Sequence, residues 1–467
     1  MDSAFLNPEF WRHLALNELI PYWYKNAPDK EYGGFYTNLS RIWEPLEPWS
    51  KYPAMISRHV FGFSVAYLLS GEDKYIDIAR EGVDFLLEHA WDNLYGGWFD
   101  LLQRDGKPLE TTKSIPLQLY TNVGLTMYYF TTGDSRVLPY ICKSIGIQKT
   151  FGHDEEFGGY YQALNRDLSV LDSSKNKHAH YGYVGSLLLN LWLATRKDKI
   201  LDWECELTDI TLERMKDKEN GWINGYMNSL DHRWEFSPYI LDNNEYIHIG
   251  AQLTAALSFI RLYQQTGKKT YFEEALKLAE KTNKTGWDAT GGGWIEMVEK
   301  KPPHRHAPFT LVQNWIQNYG CFLQLHLYHL TNNTEYLDRF IKSEEFWHRY
   351  IRDTEYGGIF AAVSPGGEPD SDDRKARPWR TSYHEMEHSL LNYLYLSAYL
   401  HKQPAVLYFK LDSDEPSKKF YISLFDDPSV RLTEVKVNGR PWQDFDPEER
   451  SLTLPEGKGY RVEAKFL

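Results

Sequence analysis

Cysteine is scarce in the chain: Cys142, Cys205 and Cys321 are the only three. Their odd count and their spacing suit neither a disulfide framework nor a metal site, so they read as small buried hydrophobes in a reducing compartment. Long apolar runs are missing too; no window approaches the roughly 18 residues a membrane-spanning helix needs. There is no long basic run and the net charge is −13, which argues against nucleic acid or an anionic membrane as partner. The opening stretch MDSAFLNPEFWRHL lacks the basic segment, apolar core and small-residue cleavage site of a secretory signal. These absences predict a cytoplasmic, globular chain, monomer or homodimer, with a small-molecule partner. The composition, 42% hydrophobic and 25% charged, is that of an ordinary folded protein.

What the sequence has in quantity is glycine pairs set among aromatics. EYGGFYTNL holds Gly33 and Gly34, LYGGWFDLL Gly96 and Gly97, and EFGGYYQAL Gly158 and Gly159. ENGWINGY at Gly221 is a worn copy; TGGGWIEM at Gly292 and EYGGIFAAV at Gly357 complete the series. From first glycine to first glycine the intervals are 63, 62, 63, 71 and 65 residues, so the architecture is internally repeated. Each interval carries two segments of helical periodicity, one apolar nearly all round and one amphipathic, the pattern of an inner and an outer helix. In the second interval these are 111–133, which Gly133 is placed to stop, and 135–151, which Ser135 can cap. About twelve helices through residue 401 in six hairpins predict an all-α fold, a closed (α/α)6 barrel over residues 1–403. An open solenoid is the competing architecture, but it needs polar caps at both ends and the count here stops at six. Each Gly-Gly is expected to turn the chain sharply where a side chain would clash. From 404 to 467 the texture changes to short alternating segments with an Asn-Gly hairpin signal in VNGRP, predicting a small β-sandwich-like unit packed on the barrel.

If the inner helices start beneath the hairpins, their first turns converge on one concavity, and unusual polar residues there become site candidates. In order these are Arg58; Lys113 with Gln118; His178 and His180; His248; Trp315 with Gln317; and Trp379, Arg380 and His384. Any one alone reads as structural; six corresponding positions together suit a sugar site. Trp faces stack on sugar rings, Arg and Gln orient hydroxyls and a carbonyl, and imidazoles move protons near neutral pH.

The hairpins, MISRHVFGFSVAYL around Arg58, GGWFDLLQRDGKPLETTKS, NWIQN and KARPWRTSYHE resemble the N-acylglucosamine 2-epimerase and cellobiose 2-epimerase superfamily over residues 8 to 401. That resemblance implies an (α/α)6 barrel that epimerises free sugars at C2 or isomerises aldose to ketose, without metal or organic cofactor. It implies that His248 and His384 are acid and base through an enediol, with Arg58 near the carbonyl oxygen. Departures from the family pattern are Ala251 and Tyr319 where Glu is usual, Glu387 where Arg is usual, Gly185 at a further Glu place, and Pro116 for Tyr. Glu245, Glu385 and Glu387 are expected to compensate if they point inward. Two other classes of function remain open: a sugar-binding barrel without turnover, and different chemistry in the same barrel. For the latter, Asp242, Glu245 and Glu385 would serve glycoside hydrolysis. Asp370, Asp372 and Asp373 in PDSDDRK would serve a terpene-cyclase-like protonation. His304 and His306 in PPHRHAP form a weak metal motif.

Overall fold

The computed structural model describes residues 3–226, 230–236 and 245–467, with Tyr183 described by its backbone alone. Six inner helices run Pro53–Ser70, Ile115–Thr132, Tyr183–Thr195, Ile249–Thr266, Asn314–Thr331 and Tyr383–Tyr395. Each packs on the next, and the sixth packs back on the first, so the ring closes. The first inner helix shows why it lies inside: Pro53 starts it, its one long charged side chain is Arg58, and every residue from Pro53 to Leu69 is buried. Its partner, Asp73–Phe85, buries Tyr75, Ile76, Ala79 and Val83 on one stripe and gives Lys74, Asp77 and Glu81 to solvent. Burying each large apolar side chain contributes about 1.5–3 kcal/mol, which holds the outer ring on the inner one. The outer ring closes with the N-terminal helix Pro8–His13, whose Trp11 packs 4.8 Å from the His388 ring of the sixth inner helix.

The hairpins have a construction finer than their glycines. An aspartate stands four residues before the first glycine of every copy: Asp29, Asp92, Asp154, Asp217, Asp288 and Asp353. In the second copy Asp92 N donates to the Gly97 carbonyl (2.9 Å), Gly96 N to the Asp92 carbonyl (2.7 Å), and the Asp92 carboxylate accepts from Leu94 N (3.0 Å). A buried lysine ahead of the next inner helix then pairs with that carboxylate. The pairs are Lys51–Asp29 at 2.9 Å, Lys113–Asp92 at 3.3 Å, Lys175–Asp154 at 2.8 Å and Lys375–Asp353 at 2.6 Å. Lys113, a site candidate by sequence, therefore belongs to the hairpin. The second glycine is needed because a polar side chain from the next inner helix grips the strand beside it. A Cβ on Gly97 (φ +77°) would lie 3.1 Å from Gln118 Oε1, and one on Gly159 (φ +74°) 2.8 Å from His180 Nε2.

Beyond His401 the chain forms strands β1 (Ala405–Ser413), β2 (Lys418–Tyr421), β3 (Leu432–Val437), β4 (Arg440–Pro441), β5 (Phe445–Asp446), β6 (Ser451–Leu454) and β7 (Gly457–Phe466). They make two antiparallel sheets, ordered β1-β7-β3-β4 and β2-β6-β5. Asn438 and Gly439 turn β3 into β4 with φ of 51° and 76°, as the Asn-Gly signal predicts. This unit covers the C-terminal ends of the inner helices. Phe420 lies against Gly133, Tyr408 against Gly71, and Arg261 of the fourth inner helix makes a buried two-point pair with Asp426 (2.6 and 3.2 Å). One end of the barrel is thus plugged, and the hairpin end stays open.

Candidate active site

A cavity of about 510 Å³ opens at the hairpin end. Its wall includes Arg58, Tyr120, Lys177, His178, Tyr226, Gln313, Trp315, Asp370, Arg377, Trp379, Arg380 and His384. Arg58 is buried; its Nη1 donates to the Trp379 carbonyl (2.7 Å) and its guanidinium lies over Tyr120 and Tyr383, 5.2 and 4.9 Å from their centroids. Its Nε and Nη2 have no hydrogen-bond partner among the described residues. Buried donors left in this state are costly. Trp379 adopts a left-handed conformation (φ +71°), unusual for a bulky residue. The Arg58 bond to its carbonyl and its own N–H on the Met55 sulfur (2.9 Å) hold it so, with the indole 46% exposed at the cavity mouth.

His384 sits on the sixth inner helix with its ring facing Trp315 (6.3 Å, 27°), and its carbonyl accepts from Asn318 Nδ2 (2.9 Å). Its Nδ1 lies 3.5 Å from Glu387 Oε2. Burial, then Arg58, Arg380 and Lys177, holds this imidazole well below its usual pKa, so it is a neutral base at pH 7. Glu387 in turn accepts from the Tyr383 hydroxyl (2.9 Å) and the Tyr319 hydroxyl (3.4 Å), and burial pushes it up to about 7.

His248 also stacks on Trp315, ring to ring at 5.6 Å and 13°, with Tyr226 standing edge-on to it at 4.2 Å. Its Nδ1 accepts from Ala251 N (3.2 Å), which leaves Nε2 as the N–H, 3.4 Å from Glu296. Glu296 also accepts from Gln313 (2.6 Å), and the indole N–H of Trp315 donates to Gln313. Burial pulls the His248 imidazole below its usual pKa, against the pull of Glu296. Of the two imidazoles, His384 forms cavity wall; His248 is behind Tyr226 and Trp315.

The other candidates divide. His178, half-buried, and Arg380 join the wall. Gln118, Gln317 and His180, expected to bind ligand, hold hairpin backbone. Gln118 accepts from Trp98 N (2.8 Å) and donates to the Trp98 carbonyl (2.7 Å). Gln317 does the same to Trp294 at the same two distances, and His180 Nε2 accepts from Tyr160 N (2.9 Å). For the two glutamines the strand after the glycine pair exposes a backbone N–H beside the first turn of the next inner helix; His180 reaches its own from the short helix Lys177–His180 that precedes the third inner helix. Glu385 is fully buried away from the cavity, taking the Trp23 indole N–H and standing 3.8 Å from Arg380. Glu245 is exposed ahead of the Tyr246–His248 strand, and Asp242 lies outside the described residues. Asp370 is the one carboxylate in the cavity wall among the described residues. Asp372 is held by Arg374 (2.7 Å) and Arg377 (3.2 Å), first of all by the Arg374 bond, below its usual pKa. A proton-donating acid needs the opposite environment. His304 bonds the Glu299 carbonyl (3.0 Å); the one trio of metal-ligand types close together among the described residues is Cys321, Glu344 and His388, elsewhere in the barrel.

Lys177 went unread in the sequence. It opens the short Lys177–His180 helix, is buried, and places Nζ 4.6 Å over the Tyr226 ring and 5.2 Å over the Trp315 ring. Burial pushes its pKa down to about 7. Its sequence signal, a lysine inside KNKHAH, is that of a solvated charge.

A six-hairpin barrel whose open end gathers buried imidazoles, an arginine with vacant donors and tryptophan walls defines a class of carbohydrate-handling protein. The family model for N-acylglucosamine 2-epimerase matches residues 33–387, and the chain belongs to that family. Cellobiose 2-epimerase of Bacteroides fragilis is 24% identical over 396 residues, covering 82% of this chain and 97% of that one. D-mannose isomerase of Marinomonas mediterranea is 20% identical over 387 residues, 79% of this chain and 93% of that one. The structure of cellobiose 2-epimerase from Spirochaeta thermophila superposes with a TM-score of 0.74 at 21% identity, covering 84% of this chain and 96% of that one. Family membership makes the chain a sugar epimerase or isomerase by class.

Proposed function

We propose that this protein interconverts an aldose and its ketose, with His384 as the base that moves hydrogen between C2 and C1. The observation that carries the choice is the unequal placing of the two imidazoles: His384 is cavity wall and His248 is screened by Tyr226 and Trp315. Isomerisation needs one base that serves both carbons on one face, whereas C2 epimerisation needs a base on each face. Arg58, with its vacant Nε and Nη2, would stabilise the developing enediolate oxygen. Trp315 and Trp379 would form the walls on which the sugar stacks, in a barrel spanning residues 1–403 with 404–467 as its plug. The D-mannose isomerase relative supports this reading.

Epimerisation is the second reading, favoured by a second imidazole, His248, lying parallel to the same indole and by the cellobiose 2-epimerase relatives. Proton NMR of mannose, glucose, N-acetylmannosamine and cellobiose in deuterated water tests both. Ketose formation with deuterium at the exchanged carbon supports the isomerase; a C2 epimer carrying deuterium supports the epimerase. No exchange with any sugar rejects both and leaves a binding protein.

A further inference from the structure

Resting on the isomerase reading, one requirement of the reaction is unmet by His384 and Arg58. Turning an aldose into a ketose moves a hydrogen from C2 to C1, and it also moves a proton from O2 to O1. A group that carries the second proton must face the cavity, hold a proton at neutral pH and release it readily. A guanidinium is too weak an acid for the task. His178, His248 and His384 are all depressed by burial and enter neutral. Glu387 is raised to about 7, but it stands behind His384 on the hydroxyls of Tyr383 and Tyr319 and is not cavity wall. Tyr226 is wall, but burial raises its phenol to about 12.

Lys177 meets the first condition by position and the other two because burial lowers the pKa of its ammonium to about 7. Its Nζ stands over the same Trp315 ring that His384 and His248 face, on the cavity side with Tyr226. Among the described residues, the charged and titratable groups that share its cavity are His178 on its own helix, Tyr226, His384, Arg58, Arg377, Arg380 and Asp370, with His248 and Glu296 packed against Trp315 and Gln313. We infer that Lys177 is a catalytic residue, the proton carrier between the two sugar oxygens. As His384 takes the hydrogen from C2, the C2–H electrons form the C1–C2 double bond and O1 takes a proton from the Lys177 ammonium. The imidazolium then returns its proton to C1 while the O2–H bond breaks, C2 becomes the carbonyl, and the Lys177 amine takes that proton. Both residues end as they began, and no further reactant is needed. A pKa of about 7, the result of burial, keeps both the ammonium and the amine populated at neutral pH.

The test is steady-state isomerisation of a cyclising aldose by wild type, Lys177→Met and Lys177→Ala from pH 5.5 to 9.5, with thermal melts as a folding control. Lys177→Met is expected to lose at least about 100-fold in kcat with little change in KM. The alkaline limb near pH 7 of the wild-type kcat/KM profile is expected to vanish in Lys177→Met, and methylamine to restore part of the rate to Lys177→Ala. A folded Lys177→Met within a few-fold of wild type, or one that keeps the limb near pH 7, overturns the inference. So does a borohydride-trapped sugar adduct on Lys177, which would make it a nucleophile. Failure of wild type to exchange any sugar hydrogen defeats the isomerase reading itself, a different result.

Discussion

Tyr319 and Glu387 form one unit behind His384: the Tyr319 hydroxyl donates to Glu387 (3.4 Å), whose Oε2 lies 3.5 Å from His384 Nδ1, at places where the resemblance implied a carboxylate and an arginine. A Cβ on Gly185 would come within 2.6 Å of Glu204 Oε1 of the neighbouring outer helix. Glu387 is raised to about 7 in the folded chain from an ordinary 4.5. The folded state therefore binds the extra proton between those values, so its contribution to stability is full below about 4.5 and lost as pH rises through about 7. Glu387→Gln fixes the neutral form: its stability should match wild type at pH 4 and exceed it at pH 8 by on the order of 1–3 kcal/mol, read from melts at the two pH values. Equal melts at both pH values would show that Glu387 is not protonated in the folded protein. For the chemistry, His384→Asn should abolish solvent exchange by a factor on the order of 10²–10⁴, whereas His248→Asn should cost isomerisation less than about 10-fold. Equal losses, read by NMR in deuterated water, would return the two-base epimerase. Arg58, His178, Trp315, Trp379, Arg380 and His384 were legible in the sequence because helix starts in a repeat converge on one mouth. Lys177 was not, because what buries it is Tyr226 from a distant loop and Trp315 from the fifth inner helix.

The hairpin is the element that turns a run of helices into a mouth. The period of the glycine pairs and the alternation of apolar and amphipathic helices could be read directly, since both follow from local sequence. The Asp–Lys pairs could have been found from the aspartate four residues ahead of each glycine; its lysine partner lies 21 or 22 residues later and is joined to it only by the fold. The Gln and His clamps looked like ligand-binding groups for the same reason, a polar residue at a helix start having two possible customers, the substrate and the hairpin backbone. Asp353 is the most demanding of these anchors. It holds Lys375 (2.6 Å) and Arg41 (2.9 Å), and the segment just after Lys375 supplies Arg377, Trp379 and Arg380 to the cavity. Those cations hold its carboxyl down to about 2 against the upward push of burial. Asp353→Ala leaves the buried Lys375 ammonium uncompensated, an effect of about 3–5 kcal/mol. Chemical denaturation should show that loss, and kcat should fall with it because Trp379 and Arg58 share one hydrogen bond. A destabilised variant with unchanged kcat would uncouple the anchor from the site.

On the scale of the whole molecule, the β unit and the cavity occupy opposite ends of the same barrel. The texture change near residue 404 announced strands, but where they pack depends on side chains far apart in the sequence. Arg261, buried in the fourth inner helix, meets Asp426 with two bonds and Asn190 with a third (2.8 Å); His329 at the end of the fifth meets Asp427 (2.5 Å). An arginine buried at the base of an inner ring has no other counter-charge within 4 Å among the described residues. The barrel is therefore not complete without its plug. Asp426→Ala should lower stability by about 3–5 kcal/mol, the cost of stranding a buried guanidinium. Calorimetry should show one transition that moves down as a unit, since Phe420, Tyr408 and Phe409 interlock with the inner helices. Two separated transitions would mean that the β unit melts on its own and serves as an independent module. Below the transition the variant's KM should equal that of wild type, because nothing in 404–467 forms cavity wall among the described residues; a changed KM would mean that the plug speaks to the site through the inner helices it caps.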